Sequence, residues 1–506
     1  MTDRLRQKVP APHGFPDAGV LAVRPRAVIV GAGIAGLTAA TALAERGVAV
    51  QLIEQQAYLG GRVGGWTEHH QGAAYAMNRG FHAFFRQYYN LRNLLRRIDP
   101  QLRMLTAVDD YPLIDGAGRR DTFRGIPRTP PFNALAFALR SPTFRLRDLT
   151  RMDARAAAPL AAVSVPDVYH RLDHLDAETF LKSINFPQAA RHLAFEVFSR
   201  SFFADPAQLS AAELATMFHL YFLGSNEGLI FDVANANFDE CLWNPLRDYL
   251  RELGAEFQLG TSVVRIETGE RARFQVYTDS GDSVEADAVV VATDIGGLRN
   301  IAKNSPELAT PLWHQQIEGL RNAPPFAVHR LWLDRPVSAE RAAFLGTSGH
   351  PPLDNISVVN RYEKQAARWA NQHHGSVLEL HSYALNGPVS QTEALRGLHT
   401  LYPETADAAV LHQQLLQRAD CPLFLPGTYL QRPSVLTPQP ALVLAGDGIR
   451  VDLPVALMER AATSGWLAGN HLLSHWGLAG HDLYTVPNRG RSTVLRSLAL
   501  SQARTS

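Results

Sequence analysis

Cysteine is nearly absent: Cys241 and Cys421 are the only two in 506 residues and lie 180 positions apart. That excludes a disulfide framework, a cysteine-rich zinc site, a cysteine-ligated iron–sulfur cluster and a Rieske centre, and it fits a reducing, intracellular setting. Lysine is almost as scarce. Only Lys8, Lys182, Lys303 and Lys364 occur, so the basic charge is nearly all arginine and few positions remain for a role that needs an amine. The net charge of +1 leaves out the broad basic face of a general nucleic-acid binder. No apolar run approaches the ~20 residues that span a bilayer. The stretch up to Arg26 is Pro-rich without the apolar core of a secretory signal, and residues 1–19 read as a flexible leader.

What is present is an ordinary globular balance, 46% hydrophobic and 19% charged, on a chain long enough for two or more domains, discontinuous ones included. Structure begins at Ala27-Val28-Ile29-Val30, an apolar run of the kind that forms a buried parallel strand. Gly31-Ala32-Gly33-Ile34-Ala35-Gly36 follows at once, then a helical stretch from Leu37 to Arg46, then a second strand from Val48 to Glu54. In this G-x-G-x-x-G the first glycine allows the tight turn, the second lets backbone approach a diphosphate, and the third lets helix and strand pack closely. The helix N-terminus offers N–H groups to the phosphates. Glu54, 18 residues after Gly36, ends the second strand where a carboxylate accepts from both ribose hydroxyls. Strand, helix and acidic residue together point to a bound dinucleotide. Further on, helical stretches at Ala189–Phe203 and Ala211–Phe222 alternate with loops. A strand-rich patch over 256–293, strands at Phe326–Leu333 and Ser376–Tyr383, and a last helix over Ala456–Leu473 follow.

Just beyond the second strand stands Tyr58-Leu59-Gly60-Gly61-Arg62-Val63-Gly64-Gly65-Trp66. This resembles the Gly-Gly-Arg extension of the FAD-dependent amine oxidase and carotenoid desaturase superfamily. Val289 to Thr293 resembles that superfamily's late Rossmann strand. Ala445-Gly446-Asp447 with Met458-Glu459-Arg460-Ala461-Ala462-Thr463-Ser464-Gly465 resembles its C-terminal flavin motif. The resemblance implies an α/β fold: a GR-type Rossmann FAD-binding domain interleaved with a mixed-sheet and helical substrate domain. The FAD-binding pieces fall at 20–115, 235–300 and 436–480, the substrate-domain pieces at 116–234 and 301–435, with a tail at 481–506. It implies FAD held by Gly31, Gly33, Ile34, Ala35, Gly36, Glu54, Gly61, Arg62, Val263, Gly446, Asp447 and Met458, and no metal.

Within the superfamily, amine oxidases commonly carry a lysine on a substrate-domain strand. The matching strand here, Pro325 to Pro336, has none, and its Val, Trp and Asp-Arg resemble those of plant-type phytoene and ζ-carotene desaturases. Arg79 to Leu91 resembles their Gly-x-His-x-Phe-Phe segment; an amphipathic core helix with aromatic packing is the alternative for this run. The resemblance is nearest to bacterial β-carotene desaturase/methylases of the isorenieratene synthase type. It is carried by residues 60–66, Arg79–Leu94, Asp109–Leu113, Asp121–Gly125, Arg128–Pro131, Phe198–Ala204 and Tyr221–Ser225. It implies oxidation of β-ionone rings to aromatic rings with a 1,2-methyl shift, and an electron acceptor such as quinone or oxygen. Phytoene- or ζ-carotene-type desaturase, carotene isomerase, flavin amine oxidase and a non-catalytic carotenoid binder stay open beside it. His82, Phe84, Phe85, Arg330 and Trp332 are the pocket candidates, and the aromatic faces of the Phe81–Tyr89 cluster and Trp332 suit a developing cation. Between Arg86 and Arg155 stand 14 arginines and seven aspartates, with no lysine or glutamate. An apolar helix at Pro131–Leu139 sits among them. It suits either insertion at an anionic membrane surface or a cover for the core edged by solvated arginines. With a lipid-dissolved substrate, the expectation is a cytoplasmic protein held peripherally at the membrane.

Overall fold

The computed structural model describes residues 3–143, 151–153, 155–187, 202–269 and 274–490, together with 493, 496 and 497. The first apolar run forms the strand Arg26–Val30 in the middle of a five-stranded sheet. Across that sheet the order is Glu256–Leu259, Ala49–Glu54, Arg26–Val30, Ala288–Val291, Leu442–Leu444, and every pair is parallel. A parallel sheet covered on both faces demands strands that are apolar throughout, and Val28, Ile29, Val289, Val290, Leu442 and Val443 are all fully buried. Its strands come from three stretches of chain far apart in sequence. The helices Ile34–Ala44 and Leu457–His475 pack against one another beside it. A Cβ on Gly465 would lie 2.4 Å from the Ala35 carbonyl oxygen, and one on Gly469 2.4 Å from Ala42 Cβ. Two glycines four residues apart, on one helix face, are what let these axes approach.

The second body is a seven-stranded sheet ordered Val410–Arg418, Phe326–Leu333, Ser376–Ser382, Leu353–Val358, Phe344–His350, Leu113–Ile114, Arg120–Asp121. It is antiparallel apart from the single parallel contact of Gly346 with Leu113. Leu113–Ile114, short of residue 116, thus already belongs to this sheet. A hairpin of Gly65–His70 and Ala73–Asn78 lies between the two bodies, and helices including Ala211–Phe218 cover one end.

Three expectations are corrected. Among the described residues, 3–19 form no flexible leader and 481–490 no free tail. Gln7–Val9 pairs antiparallel with Leu483–Thr485, Asp3 is buried with its N–H on Glu227, and Asn488 is bonded to both Gln7 and Val165. The partner strand stands more than 470 residues away, so local composition carries no trace of it. The run from Arg79 to Leu91 is not one helix: Phe84–Phe85 pairs with Phe231 and Asp232, and helix begins only at Tyr89. The helical stretch expected over Ala189–Phe203 lies, up to residue 201, outside the described residues.

Glu459, in the first turn of the last helix, ties it to the helix Tyr89–Leu95. Its oxygens accept the N–H groups of Asn90 at 2.8 Å and Leu91 at 2.9 Å. Burial nonetheless pushes its carboxyl from an ordinary 4.5 up to about 8. Between those values the folded chain holds a proton that the unfolded chain has released, so stability falls as pH rises through that window. Glu459→Gln keeps shape and an acceptor, and is expected to flatten the fall between pH 4.5 and 8; thermal midpoints measured across that range check it.

Candidate active site

A cavity of about 1060 Å³ opens at the C-terminal ends of the parallel strands, lined there by Val30, Ile53, Glu54 and Ala292. That is where ligands sit in open α/β sheets. Gly33, Ile34 and Ala35 present the N-terminus of the first helix to it. A Cβ on Gly36 would stand 1.9 Å from the Gly31 carbonyl oxygen, so the turn closes only around glycine. Gly61, at φ +56°, comes within 3.1 Å of Gly33 Cα when a Cβ is built on it, and Gly60 N–H donates to Ala32 O at 2.8 Å. The second glycine pair therefore lies directly on the first loop and leaves a shallow groove of bare backbone.

Glu54 is buried, and its oxygens accept the N–H groups of Ala32 at 2.6 Å and Gln56 at 2.8 Å. Burial raises its carboxyl while those two bonds work the other way. Arg62 and Asp447 meet in an ion pair, and Gly446 N–H donates to Ser464 Oγ at 2.8 Å. Met458 and Leu457 reach the cavity from the start of the last helix, with Leu457 in the left-handed region at φ +52°. Val263 lines the adjacent wall. Bare backbone, a helix N-terminus, a guanidinium and an acceptor carboxylate form a donor set that fits the diphosphate and ribose of a dinucleotide.

Beyond this end the walls turn aromatic, with Phe81, Phe85, Tyr88, Tyr111, Tyr221 and Phe231. Phe85 lies 4.6 Å from Tyr221 and 5.2 Å from Phe231 between ring centroids, and the Tyr88 and Tyr221 hydroxyls meet at 3.2 Å. His82 also lines the cavity. Its Nδ1 sits 2.9 Å from Gly80 O, and burial pushes the imidazole down to about 4, which keeps it neutral. Among the described residues no lysine lines the cavity.

Of the pocket candidates, His82 and Phe85 line the cavity and three others do not. Phe84 is fully buried and packs edge-on against Phe238. Arg330 is enclosed between Glu363 at 3.2 Å and Glu379 at 2.7 Å, and also donates to Ala76 O. Trp332 packs against Tyr75 and His412. Register explains the miss. Phe326, Val328, Arg330 and Trp332 share one strand face, but only the first two reach the cavity. At ~3.3 Å per residue Trp332 lies about 13 Å beyond Val328, under the hairpin. Sequence reasoning in turn passed over His381 and Tyr383, which do line the cavity, and Glu379 beside them. Their signal was a Glu-x-His-x-Tyr alternation at the end of an otherwise apolar strand.

A family model described as flavin containing amine oxidoreductase matches residues 34–473. A carotenoid phi-ring synthase of Streptomyces griseus is 54% identical over 98% of this chain and 96% of its own length. A second carotenoid phi-ring synthase, from Chlorobaculum tepidum, is 25% identical over 92% of this chain and 91% of its own. Among solved structures, cyclohexylamine oxidase from Brevibacterium oxydans superposes with a TM-score of 0.65 at 16% identity, covering 90% of this chain and 100% of that one.

The geometry makes Glu54 a support of the glycine loop and leaves its carboxylate on the cavity wall. Glu54→Ala is expected to weaken FAD by about 1.5–3 kcal/mol, roughly 10- to 150-fold in Kd, with Glu54→Gln losing less. Flavin content after purification and fluorescence titration measure both, and far-ultraviolet dichroism should stay unchanged because the residue ends its strand.

Proposed function

The chain belongs to the flavin-containing amine oxidoreductase family and is an FAD-dependent oxidoreductase, and on that premise we propose that it converts the β-ionone rings of cyclic carotenes to aromatic rings. FAD, when bound, supplies the hydride acceptor, and its reoxidation calls for an acceptor such as quinone or oxygen. Gly31, Gly33, Ile34, Ala35, Gly36, Glu54, Gly61, Arg62, Val263, Gly446, Asp447 and Met458 hold it in this reading.

The observation that carries the proposal is the cavity itself. It continues from the glycine cradle past an aromatic middle to Phe123, Ile126 and Asn133, with no lysine on its wall among the described residues. An extended, apolar polyene suits such a passage better than a charged amine does. A β-ionone ring carries two methyls on one quaternary carbon, which blocks aromatisation. Hydride loss from the neighbouring carbon leaves a secondary cation, and a 1,2-methyl shift turns it into a tertiary one. Proton losses and a second oxidation complete a trimethylphenyl ring. Every carbon is kept and four hydrogens leave each end. The aromatic faces of Phe85, Tyr221 and Phe231 serve such cations without offering a competing nucleophile.

The proposal extends to a membrane surface as the source of the substrate. Asn133, at the far end of the cavity, belongs to the helix Phe132–Arg140, which turns Phe132, Leu135 and Leu139 outward, each more than half exposed. Arg128 and Arg140 flank it. No helix among the described residues is long and apolar enough to cross a membrane, so contact of this kind is interfacial.

Expression in a β-carotene-producing host tests the reaction. Products 4 and 8 mass units below β-carotene are expected, with no label incorporated from the methyl of methionine. Conversion of phytoene with β-carotene untouched would instead make the protein an acyclic-carotene desaturase. For the surface, joint replacement of Phe132, Leu135 and Leu139 by serine should sharply reduce co-sedimentation with anionic phospholipid vesicles while flavin content holds.

A further inference from the structure

Aromatising a ring requires a place for protons as well as for hydrides. Glu379, His381 and Tyr383 fall on one side of the strand Ser376–Ser382 and its continuation, at the period of two that puts alternate side chains together. Tyr383 and His381 line the cavity, where the Tyr383 ring meets Phe203 at 5.0 Å. The Tyr383 hydroxyl lies 2.9 Å from His381 Nδ1, and His381 Nε2 lies 2.8 Å from Glu379 Oε1. Glu379 is in turn clamped by Arg330 at 2.7 Å. A carboxylate only accepts, so the tautomer follows from the partners: Nε2–H donates to Glu379 and Nδ1 accepts from the tyrosine. Despite full burial, the Arg330 guanidinium and the His381 bond hold the Glu379 carboxyl down to about 2, and it stays ionised. A buried anion, an oriented imidazole and the hydroxyl of a cavity-lining tyrosine form the logic by which hydrolases activate a hydroxyl.

Resting on the carotene reading above, we propose that Tyr383 is the proton acceptor for the ring cation, with His381 and Glu379 as its positioning residues. After the methyl shift, the C–H bond on the carbon that received the methyl breaks, and its electron pair becomes the new ring double bond. The proton passes to Tyr383 Oη while the hydroxyl proton moves to His381 Nδ1. The resulting imidazolium faces ionised Glu379, so the charge that leaves the ring is neutralised where it arrives. No further reactant enters the step. His82 is the weaker acceptor: burial pushes its imidazole down to about 4, so it holds a proton poorly. The register agrees. His381 stands opposite Val328 and Glu379 opposite Arg330, so the relay borders the reach of strand that the cavity touches.

The test uses the flavin-loaded full chain and β-carotene, with rates taken per bound flavin. Tyr383→Phe and His381→Gln are each expected to lower kcat about 100-fold with KM nearly unchanged, the size of a lost general base. Because the Tyr383 hydroxyl proton moves in the same step, kcat of the unaltered enzyme should fall in deuterium oxide, and His381→Gln should lose that solvent isotope effect. A structural role alone would leave the isotope effect in place. Rates near those of the unaltered enzyme in Tyr383→Phe, or an unchanged solvent isotope effect in His381→Gln, overturn the proposal. An unaltered enzyme that leaves β-carotene untouched overturns the proposed function instead.

Discussion

Everything in the nucleotide half depends on how closely the first helix and the last can approach. Gly465 and Gly469 remove the two Cβ atoms that would strike Ala35 and Ala42. The resulting contact places the start of the last helix, with Leu457 and Met458, beside the glycine turn at Gly31–Gly36. It also brings Asp447 to Arg62, so that residues 385 positions apart share an ion pair at the cavity. A side chain at either glycine would push the last helix outward and open the cradle from behind. Close-packed interiors transmit such displacements rather than absorb them.

Buried charge then fastens the halves together. Glu213 accepts from Arg432 at 2.7 Å and from Arg460 at 2.8 Å, all three buried, joining the helix Ala211–Phe218 to the last helix. Arg330 does the same work on the other side, reaching Glu363, Glu379 and the hairpin carbonyl of Ala76. Neither cluster needs to contribute much net stability, since desolvation offsets most of the attraction. What each does is make the wrong arrangement costly, because a lone buried guanidinium has nowhere to discharge. The cavity between the halves thereby keeps one shape.

The parts of this design that were legible in the sequence are those written in short stretches. The strand–glycine–helix–strand unit closing on Glu54, the Gly60-Gly61-Arg62 loop and the Gly446-Asp447 turn each span a few residues, and their chemistry demands those residue types. What was not legible depends on distances that a chain does not display. Alternation puts Val328, Arg330 and Trp332 on one face, yet only the packed hairpin shows that the cavity stops at Val328. Phe84 and Phe85 are neighbours whose opposite orientation is set by a strand pairing with Phe231 and Asp232. The edge strand Val410–Arg418 and the pairing of Gln7–Val9 with Leu483–Thr485 have partners remote in sequence, and neither carries a strong local pattern. Glu379, His381 and Tyr383 hid within a stretch read only as a strand.

The order of the strands also dictates when this molecule can come into being. The sheet that opens with Arg26–Val30 receives its last member at Leu442–Leu444, and the helix packed on its first turn ends at His475. On the ribosome, at roughly 5–20 residues per second, the glycine loop waits for most of a synthesis that lasts on the order of half a minute or more. Through that wait Val28, Ile29 and their neighbours have no complete sheet to enter. A chain cut short before the last helix would carry the glycine loop but lack Leu457, Met458 and the Gly465 and Gly469 contact behind it.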